Sequence, residues 1–347
     1  MTAIRVDLFS DTMTRPGPEM RRAMAEAEVG DEQRGEDPTV NALQEAVATL
    51  LGKEAALFLP SGTMCNEIAL AVLCGAGDEV ILDEQAHPLI AEAGGPAVVS
   101  RASLRPIRTP RGVFTAAEMA AMIRPPLRHA PRTRLVSVEQ TSNFGGGTCW
   151  PIATIAAVCD LARERGLYAH CDGARLLNAV VATGVSAAEH GRHFDSIWID
   201  FSKGLGAPVG AALAGSADFV DAAWRWKQRL GGAMRQAGII AAGALYALGH
   251  NVDRLAEDHA RARRLAEAIA GLPGLSLDPA AVETNILIFD VAPSGMTAAA
   301  VADRALESHG VRLCPIGPTL VRAVTHLDVD DAGVGAAIAA LRESLGG

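Results

Sequence analysis

Short apolar runs alternate with longer stretches of helical period along most of the chain. The runs Ala55–Leu59, Glu79–Leu82, Leu135–Val138, Tyr168–Cys171, Ser196–Ile199 and Val209–Ala214 predict strands. They are nearly continuous in apolar character rather than alternating, which predicts strands covered on both faces, as in a mostly parallel sheet flanked by helices. Between them, 63–74 places Ile68, Leu70, Val72 and Leu73 at helical spacing, and 152–165 does the same with Ile155, Val158, Leu161 and Ala162. A charged helix is predicted over 252–270, with Asn251 as its N-cap and Gly271 and Pro273 ending it. The pattern then restarts: a strand over 285–291, a helix over 297–309, short strands near Val311 and Leu320, and a last helix from about Asp331. That restart predicts an N-terminal arm (1–15), a large α/β domain (16–250) and a smaller C-terminal α/β domain (251–347).

Composition agrees with this reading. A chain of 347 residues can bury two cores. Hydrophobic residues make up 49% but aromatics only 4%, the profile of a tightly packed Ala-, Val- and Leu-rich α/β protein. A formal charge of −9 argues against a nucleic-acid partner, which would require a basic face. The start of the chain lacks the apolar core of a secretory signal. The most apolar later stretch, 237–248, falls short of the ~20 residues needed to span a bilayer. A cytoplasmic protein without a membrane partner is expected. Cys65, Cys74, Cys149, Cys159, Cys171 and Cys314 form no CxxC pair and no zinc-like spacing, so they are expected as buried free thiols with no bound metal. His190 and His193 lie three apart but lack a third ligand at suitable spacing, and are expected in a surface loop.

The candidate chemistry sits where predicted strands end. Pro60-Ser61-Gly62-Thr63 follows a strand and opens a helix, so its backbone N–H groups form an anion site. Asp172, followed three residues later by Arg175, ends a second strand. Lys203 ends a third, ahead of Gly-Leu-Gly, and His87 follows a fourth. Each alone has an ordinary structural explanation: a Ser/Gly turn, an ion pair, a solvated lysine. In a parallel sheet, however, the carboxyl ends of the strands share one edge, where ligands bind. An anion cradle, a carboxylate, an imidazole and a lysine at one edge is the set that pyridoxal 5'-phosphate (PLP) requires. Gly204 and Gly206 would let the backbone pass close to a flat cofactor.

Ordered motifs then resemble one family nearly end to end: LFSDTMTRPGPEMRRAM (8–24), VGDEQRGEDPTVNALQ (29–44), GKEAALFLPSGTMCNEIAL (52–70), EAGG (92–95), HCDGARLLNAVVATGV (170–185), FSKGLGAPVGAALAG (201–215), GGAMRQAGIIAAGALYAL (231–248) and LVRAVTHLDV (320–329). They resemble the L-threonine aldolases, fold-type I PLP enzymes. The resemblance implies that Lys203 carries the cofactor through an imine, that Asp172 pairs with its ring nitrogen and that His87 stacks on the ring. His87 is also the nearest candidate base; stacking and proton transfer both stay open. Ser61, Gly62 and Thr63, with Arg235, would hold the phosphate. Ser10, Arg175 and Arg322 would grip the substrate α-carboxylate, with Arg175 also counted among the cofactor residues. The family forms homotetramers built from close dimers, and its reaction yields glycine and an aldehyde from a β-hydroxy-α-amino acid.

Four positions depart from the family pattern. Ser142 stands where a histidine is common, Arg34 where tyrosine is usual, Ala91 where an aromatic is common, and Gln228 where lysine is usual. Neutral drift is one reading. The other is a rebuilt side-chain pocket, with Arg34, Ala91 and Ser142 favouring a substrate larger or more polar than threonine. The cofactor set alone also leaves β-elimination, transamination and racemisation open, and a non-catalytic PLP-binding protein as a remoter option.

Overall fold

A computed structural model describes residues 3–345. Its strands are β1 (Val6–Asp7), β2 (Ala55–Leu59), β3 (Glu79–Asp83), β4 (Ser103–Ile107), β5 (Thr133–Glu139), β6 (Tyr168–Gly173), β7 (Ser196–Asp200), β8 (Ala211–Gly215), β9 (Ile286–Asp290), β10 (Val311–Arg312), β11 (Cys314–Pro315) and β12 (Leu320–Val324). Seven of them form the central sheet in the order β2-β8-β7-β6-β5-β3-β4. Only β8 runs against its neighbours, β2 and β7; the other adjacent pairs are parallel. The carboxyl ends of β2, β3, β5, β6 and β7 therefore share one edge.

The sheet is buried on both sides, as the continuous apolar runs require: every residue of β3, β7 and β8 is buried. The helix Pro38–Leu51 is set by Asp37, whose carboxylate accepts from the N–H groups of Thr39 and Val40, and ends at left-handed Gly52. Its Val40, Leu43, Val47 and Leu51 join Phe58, Val136, Ile155 and Ile197 in the main core. Each such side chain contributes about 1.5–3 kcal/mol by burial.

A second core forms around the antiparallel sheet β11-β12-β9 and the helices Leu255–Ala270, Ala298–His309 and Asp331–Ser344. Val6 and Leu8 belong to this core, because β1 pairs in parallel with β10. The start of the chain thus crosses to the C-terminal unit before the large sheet begins.

Two local expectations differ from the structure, and one strand is added to those expected. The charged helix begins at Leu255, and Asn251 instead ends the preceding helix Gly238–His250, with its side chain donating to Leu205 O at 2.7 Å. The edge strand β4, SLRPI, carries Arg105 and Pro106 and is mostly outside the core, so it has no apolar signature. His190 and His193 are not in a surface loop: they are only 1% and 9% exposed. His190 lies in the last turn of the helix Ala187–Gly191, its Nε2 3.3 Å from Gln140 Nε2, and Gly191 packs where a Cβ would fall 2.1 Å from Leu51 O. Close packing on the helix Pro38–Leu51 buries the pair. All six cysteines are free and buried, no described helix is long and apolar enough to cross a membrane, and no metal-binding cluster occurs among the described residues.

Candidate active site

The carboxyl edge of the sheet encloses a cavity of about 280 Å³. Ser61, Gly62, Thr63, His87, Asp172, Arg175 and Lys203 all line it, so the predicted strand ends do converge.

Ser61 is the N-cap of the helix Gly62–Leu73, its Oγ accepting from Met64 N at 3.2 Å. The first-turn N–H groups of such a helix have no partner within it and favour an anion. Gly62 is required here: a Cβ would lie 2.3 Å from the Trp198 ring and 3.3 Å from Asp200 Oδ2. By contrast, added Cβ atoms at Gly204 and Gly206 would meet Leu255 and Leu327, so these two glycines accommodate helix and loop packing rather than a cofactor face.

Asp172 is 1% exposed and lacks a cationic partner among the described residues. Its Oδ1 accepts from Ala174 N at 3.1 Å and its Oδ2 from Asn66 Nδ2 at 2.9 Å. The same amide group of Asn66 donates to Glu92 Oε1 at 2.7 Å, while its Oδ1 accepts from Trp198 Nε1 at 2.7 Å and His170 Nε2 at 3.1 Å. His170 therefore carries its proton on Nε2 and accepts from Ser196 Oγ at Nδ1, 2.7 Å away. Burial depresses the imidazole to about 4, so it stays neutral.

His87 opens the one-turn helix His87–Ile90. Its backbone N–H donates to Glu139 Oε2 at 2.8 Å and its Nδ1 to Glu92 Oε1 at 2.7 Å. The hydrogen bond that Glu92 accepts from it raises the imidazole above its ordinary value, against the opposing effect of burial. Glu139 is buried and also accepts from Asn143 N at 2.8 Å; burial, then the charge of Asp172, push it up to about 7. The Lys203 amine lies 3.4 Å from Asp200 Oδ2.

The two arginines differ. Arg175 is already engaged: its Nε and Nη2 donate to Asp11 Oδ2 and Oδ1 at 2.7 and 2.6 Å. Burial alone would raise the Asp11 carboxyl, but the charge and hydrogen bonds of Arg175 hold it far below the usual carboxylate range. Arg322 is 7% exposed and has no carboxylate partner among the described residues. Its Nη1 donates to Asn143 Oδ1 at 2.6 Å and its Nη2 to Phe9 O at 3.1 Å, and its buried Nε has no partner.

Other predicted positions lie elsewhere in the single chain. Ser10 caps the 3-10 turn Asp11–Met13, and Thr12 rather than Ser10 lines the cavity. Arg235 is exposed and paired with Asp31 at 2.9 Å; Arg34, Ala91 and Gln228 are exposed too. Ser142 is buried, its Oγ accepting from Gly145 N at 3.2 Å and lying 1.9 Å from where a Cβ on Gly112 would be. Sequence reasoning missed Glu139, Asn143 and Asp200, which line the cavity. Glu139 and Asp200 end strands on the same edge as Asp172, so the edge rule itself could have found them.

These residues fit one cofactor. The buried carboxylate of Asp172 lacks a positive charge, which a protonated pyridine nitrogen would supply; the helix N-terminus at Ser61–Thr63 suits a phosphate, and Lys203 offers an amine for an aldehyde. The class is therefore that of fold-type I PLP enzymes. A sequence model of the family described as beta-eliminating lyase matches residues 7–292. The chain belongs to the beta-eliminating lyase family, in its threonine aldolase branch. It is 43% identical over 339 residues to a probable low-specificity L-threonine aldolase 2 of Arabidopsis thaliana, covering 96% of this chain and 95% of that one. It is 44% identical over 325 residues to a low specificity L-threonine aldolase of Escherichia coli K12, covering 93% and 94%. The fold alone matches a threonine aldolase structure from Leishmania major, with TM-score 0.83, 19% identity and coverage of 98% of this chain and 99% of that one.

Proposed function

We propose that this chain is a PLP-dependent aldehyde-lyase that splits the Cα–Cβ bond of an L-β-hydroxy-α-amino acid into glycine and an aldehyde. The observation that carries this reading is Arg322, a buried guanidinium without a carboxylate partner among the described residues, bonded to Asn143, which lines the cavity that holds both the Lys203 amine and the unpaired Asp172. It leaves a place for the α-carboxylate of an amino acid.

When bound, PLP supplies an electron sink for the pair left on Cα as the bond breaks. The chain does the rest. Asp172 would hold the ring nitrogen, and the first turn of the helix Gly62–Leu73 would hold the phosphate. Arg322, steadied by Asn143, fixes the carboxylate and so the direction of the Cα–Cβ bond. His87, whose Nδ1 is tied to Glu92, has its other ring nitrogen free to take the β-hydroxyl proton.

Threonine, allo-threonine and a bulkier or more polar analogue are the substrates in this reading. Arg34, Ala91, Ser142, Ser10 and Arg235 stay assigned to substrate or phosphate in the assembled enzyme, a cytoplasmic homotetramer of close dimers. The exposed Arg34, Ala91 and Arg235 support that assembly, since a second subunit is what would bring such surface residues to a site; buried free thiols suit a reducing compartment. The division into an arm (1–15), a large domain (16–250) and a small domain (251–347) is part of the same proposal.

The test is a substrate panel of threonine, phenylserine and 3-hydroxyaspartate with product identification. Glycine plus an aldehyde is expected, with the yellow colour of the holoenzyme lost in Lys203→Ala. A 2-oxo acid plus ammonia would replace the aldolase reading with β-elimination.

A further inference from the structure

Behind His87 the site wall holds two carboxyls with too few donors. Glu92 has a side chain with 0% exposure; its Oε1 accepts from Asn66 and His87, and its Oε2 has no partner. Glu67 follows Asn66 in the helix Gly62–Leu73 and is 5% exposed. Neither of its oxygens meets a donor, and it packs against Gly95, whose N–H donates to Glu92 O at 2.8 Å, which sets it beside Glu92. Gly95 seals the pair, since a Cβ there would fall 2.0 Å from Glu67 Oε1.

Two carboxylates in this position would leave Glu67 Oε1, Glu67 Oε2 and Glu92 Oε2 buried and bare. An unsatisfied buried polar group is destabilising, and a charged one more so. A single proton removes most of the deficit: a Glu67 hydroxyl donating to Glu92 Oε2 turns two facing acceptors into a donor and an acceptor. We propose that Glu67 is a positioning residue that stays protonated at neutral pH and donates to Glu92, so that Glu92, as one carboxylate, fixes the Nδ1–H of His87 and leaves the other ring nitrogen free. Burial, then the charge of Glu92, push Glu67 up to about 8 in support. Among the described residues Glu92 is the charge that acts on Glu67; beyond it His87 also feels Asp172 and Lys203. Loss of the proton above about 8 would put a second negative charge behind His87 and hold its imidazole protonated, unable to act as a base.

This inference rests on the proposed function only in taking His87 as the group being positioned, and its first test does not use activity. The infrared difference spectrum of the holoenzyme, wild type minus Glu67→Gln at pH 7 in D2O, should show the carbonyl band of a protonated carboxyl. The band should fade as pH rises through about 8. In kinetics, Glu67→Leu should lose about tenfold in kcat with cofactor absorbance retained. Glu67→Gln, which keeps a donor for Glu92, should recover most of that loss and lack the alkaline fall in kcat. Absence of the carboxyl band at pH 7, or a Gln variant as impaired as the Leu variant, overturns the proposal. A wild type with the band but no aldolase products would overturn the proposed function and leave the protonated pair standing.

Discussion

Asp200 Oδ2 stands 3.4 Å from Nζ of Lys203, and Asp200 Oδ1 accepts from both the N–H and the hydroxyl of Ser202, at 2.7 and 2.8 Å. The carboxylate thus holds the reactive amine on one side and the turn that carries it on the other. It also lies against the phosphate cradle, 3.3 Å from where a Cβ on Gly62 would be. A fixed negative charge beside an anion site opposes the anion. At an effective dielectric near 20, two unit charges about 8 Å apart repel by about 2 kcal/mol, of which the Lys203 amine 3.4 Å from the same carboxylate offsets part.

Asp200→Asn keeps an acceptor for Ser202 and removes that charge. The apoprotein of the variant should bind PLP about fivefold more tightly than wild type, the equivalent of roughly 1 kcal/mol. Titration of apoprotein followed by absorbance gives both Kd values, and added salt should narrow their difference. Equal affinities would mean that the carboxylate does not act on the phosphate.

Arg322 and Arg175 should separate in kinetics. Arg322→Gln removes the guanidinium that lacks a carboxylate partner, so KM for the amino acid should rise about 10- to 100-fold, the range for losing a charged hydrogen bond, with the cofactor spectrum unchanged. Arg175→Gln leaves Asp11 buried without its partner, so its first effect should be on folding and cofactor retention. If both variants change only KM, the distinction between an engaged and a free guanidinium is wrong.

The chemistry that was legible in the sequence lay at strand ends. Ser61, His87, Asp172 and Lys203 each follow an apolar run, and a parallel sheet brings such positions to one edge whatever the details of packing. What stayed hidden was pairing at a distance. Nothing in the residue pattern tells that Arg175 is neutralised by Asp11, 164 positions away, while Arg322 is not, or that Asn66 links Asp172 to Glu92. The histidine spacing misled for a related reason: the burial of His190 depends on the neighbouring helix and Gln140, not on its own segment. The β1 pairing with β10 was equally invisible, since a two-residue strand has no periodicity. Arg34 and Arg235 mark a different limit, because one chain alone does not bring them to the cavity.

Asp11→Asn tests the buried pair directly. Breaking one partner of such a pair costs about 3–5 kcal/mol, because the other charge is left in the interior. At pH 7 the variant should melt well below wild type. The folded carboxyl lies below its unfolded value near 3.8, so its stabilisation is complete above that value and is lost as pH falls beneath it. The gap between wild type and variant should therefore shrink on acidification below about 4. A gap that persists undiminished would show that Asp11 acts by shape rather than charge.

His170 sets an acid limit of the opposite chemical kind. Burial lowers its imidazole to about 4 in the fold, whereas an unfolded histidine titrates near 6.5. Between those values the unfolded chain binds a proton that the native site refuses, so stability from this residue is complete above pH 6.5 and declines as pH falls toward 4. The full difference corresponds to roughly 3 kcal/mol. Half-buried His259, also lowered to about 4, and buried His190 act in the same direction, so the wild-type curve alone does not isolate His170. The comparison with His170→Gln does. The variant should be less stable at pH 7, where Asn66 and Ser196 lose a fitted partner, yet its chemical-unfolding midpoint should fall less between pH 7 and 5. The two curves should converge as pH drops. Parallel curves would mean that His170 is protonated in the fold over this range, with Nδ1 donating to Ser196 Oγ rather than accepting from it.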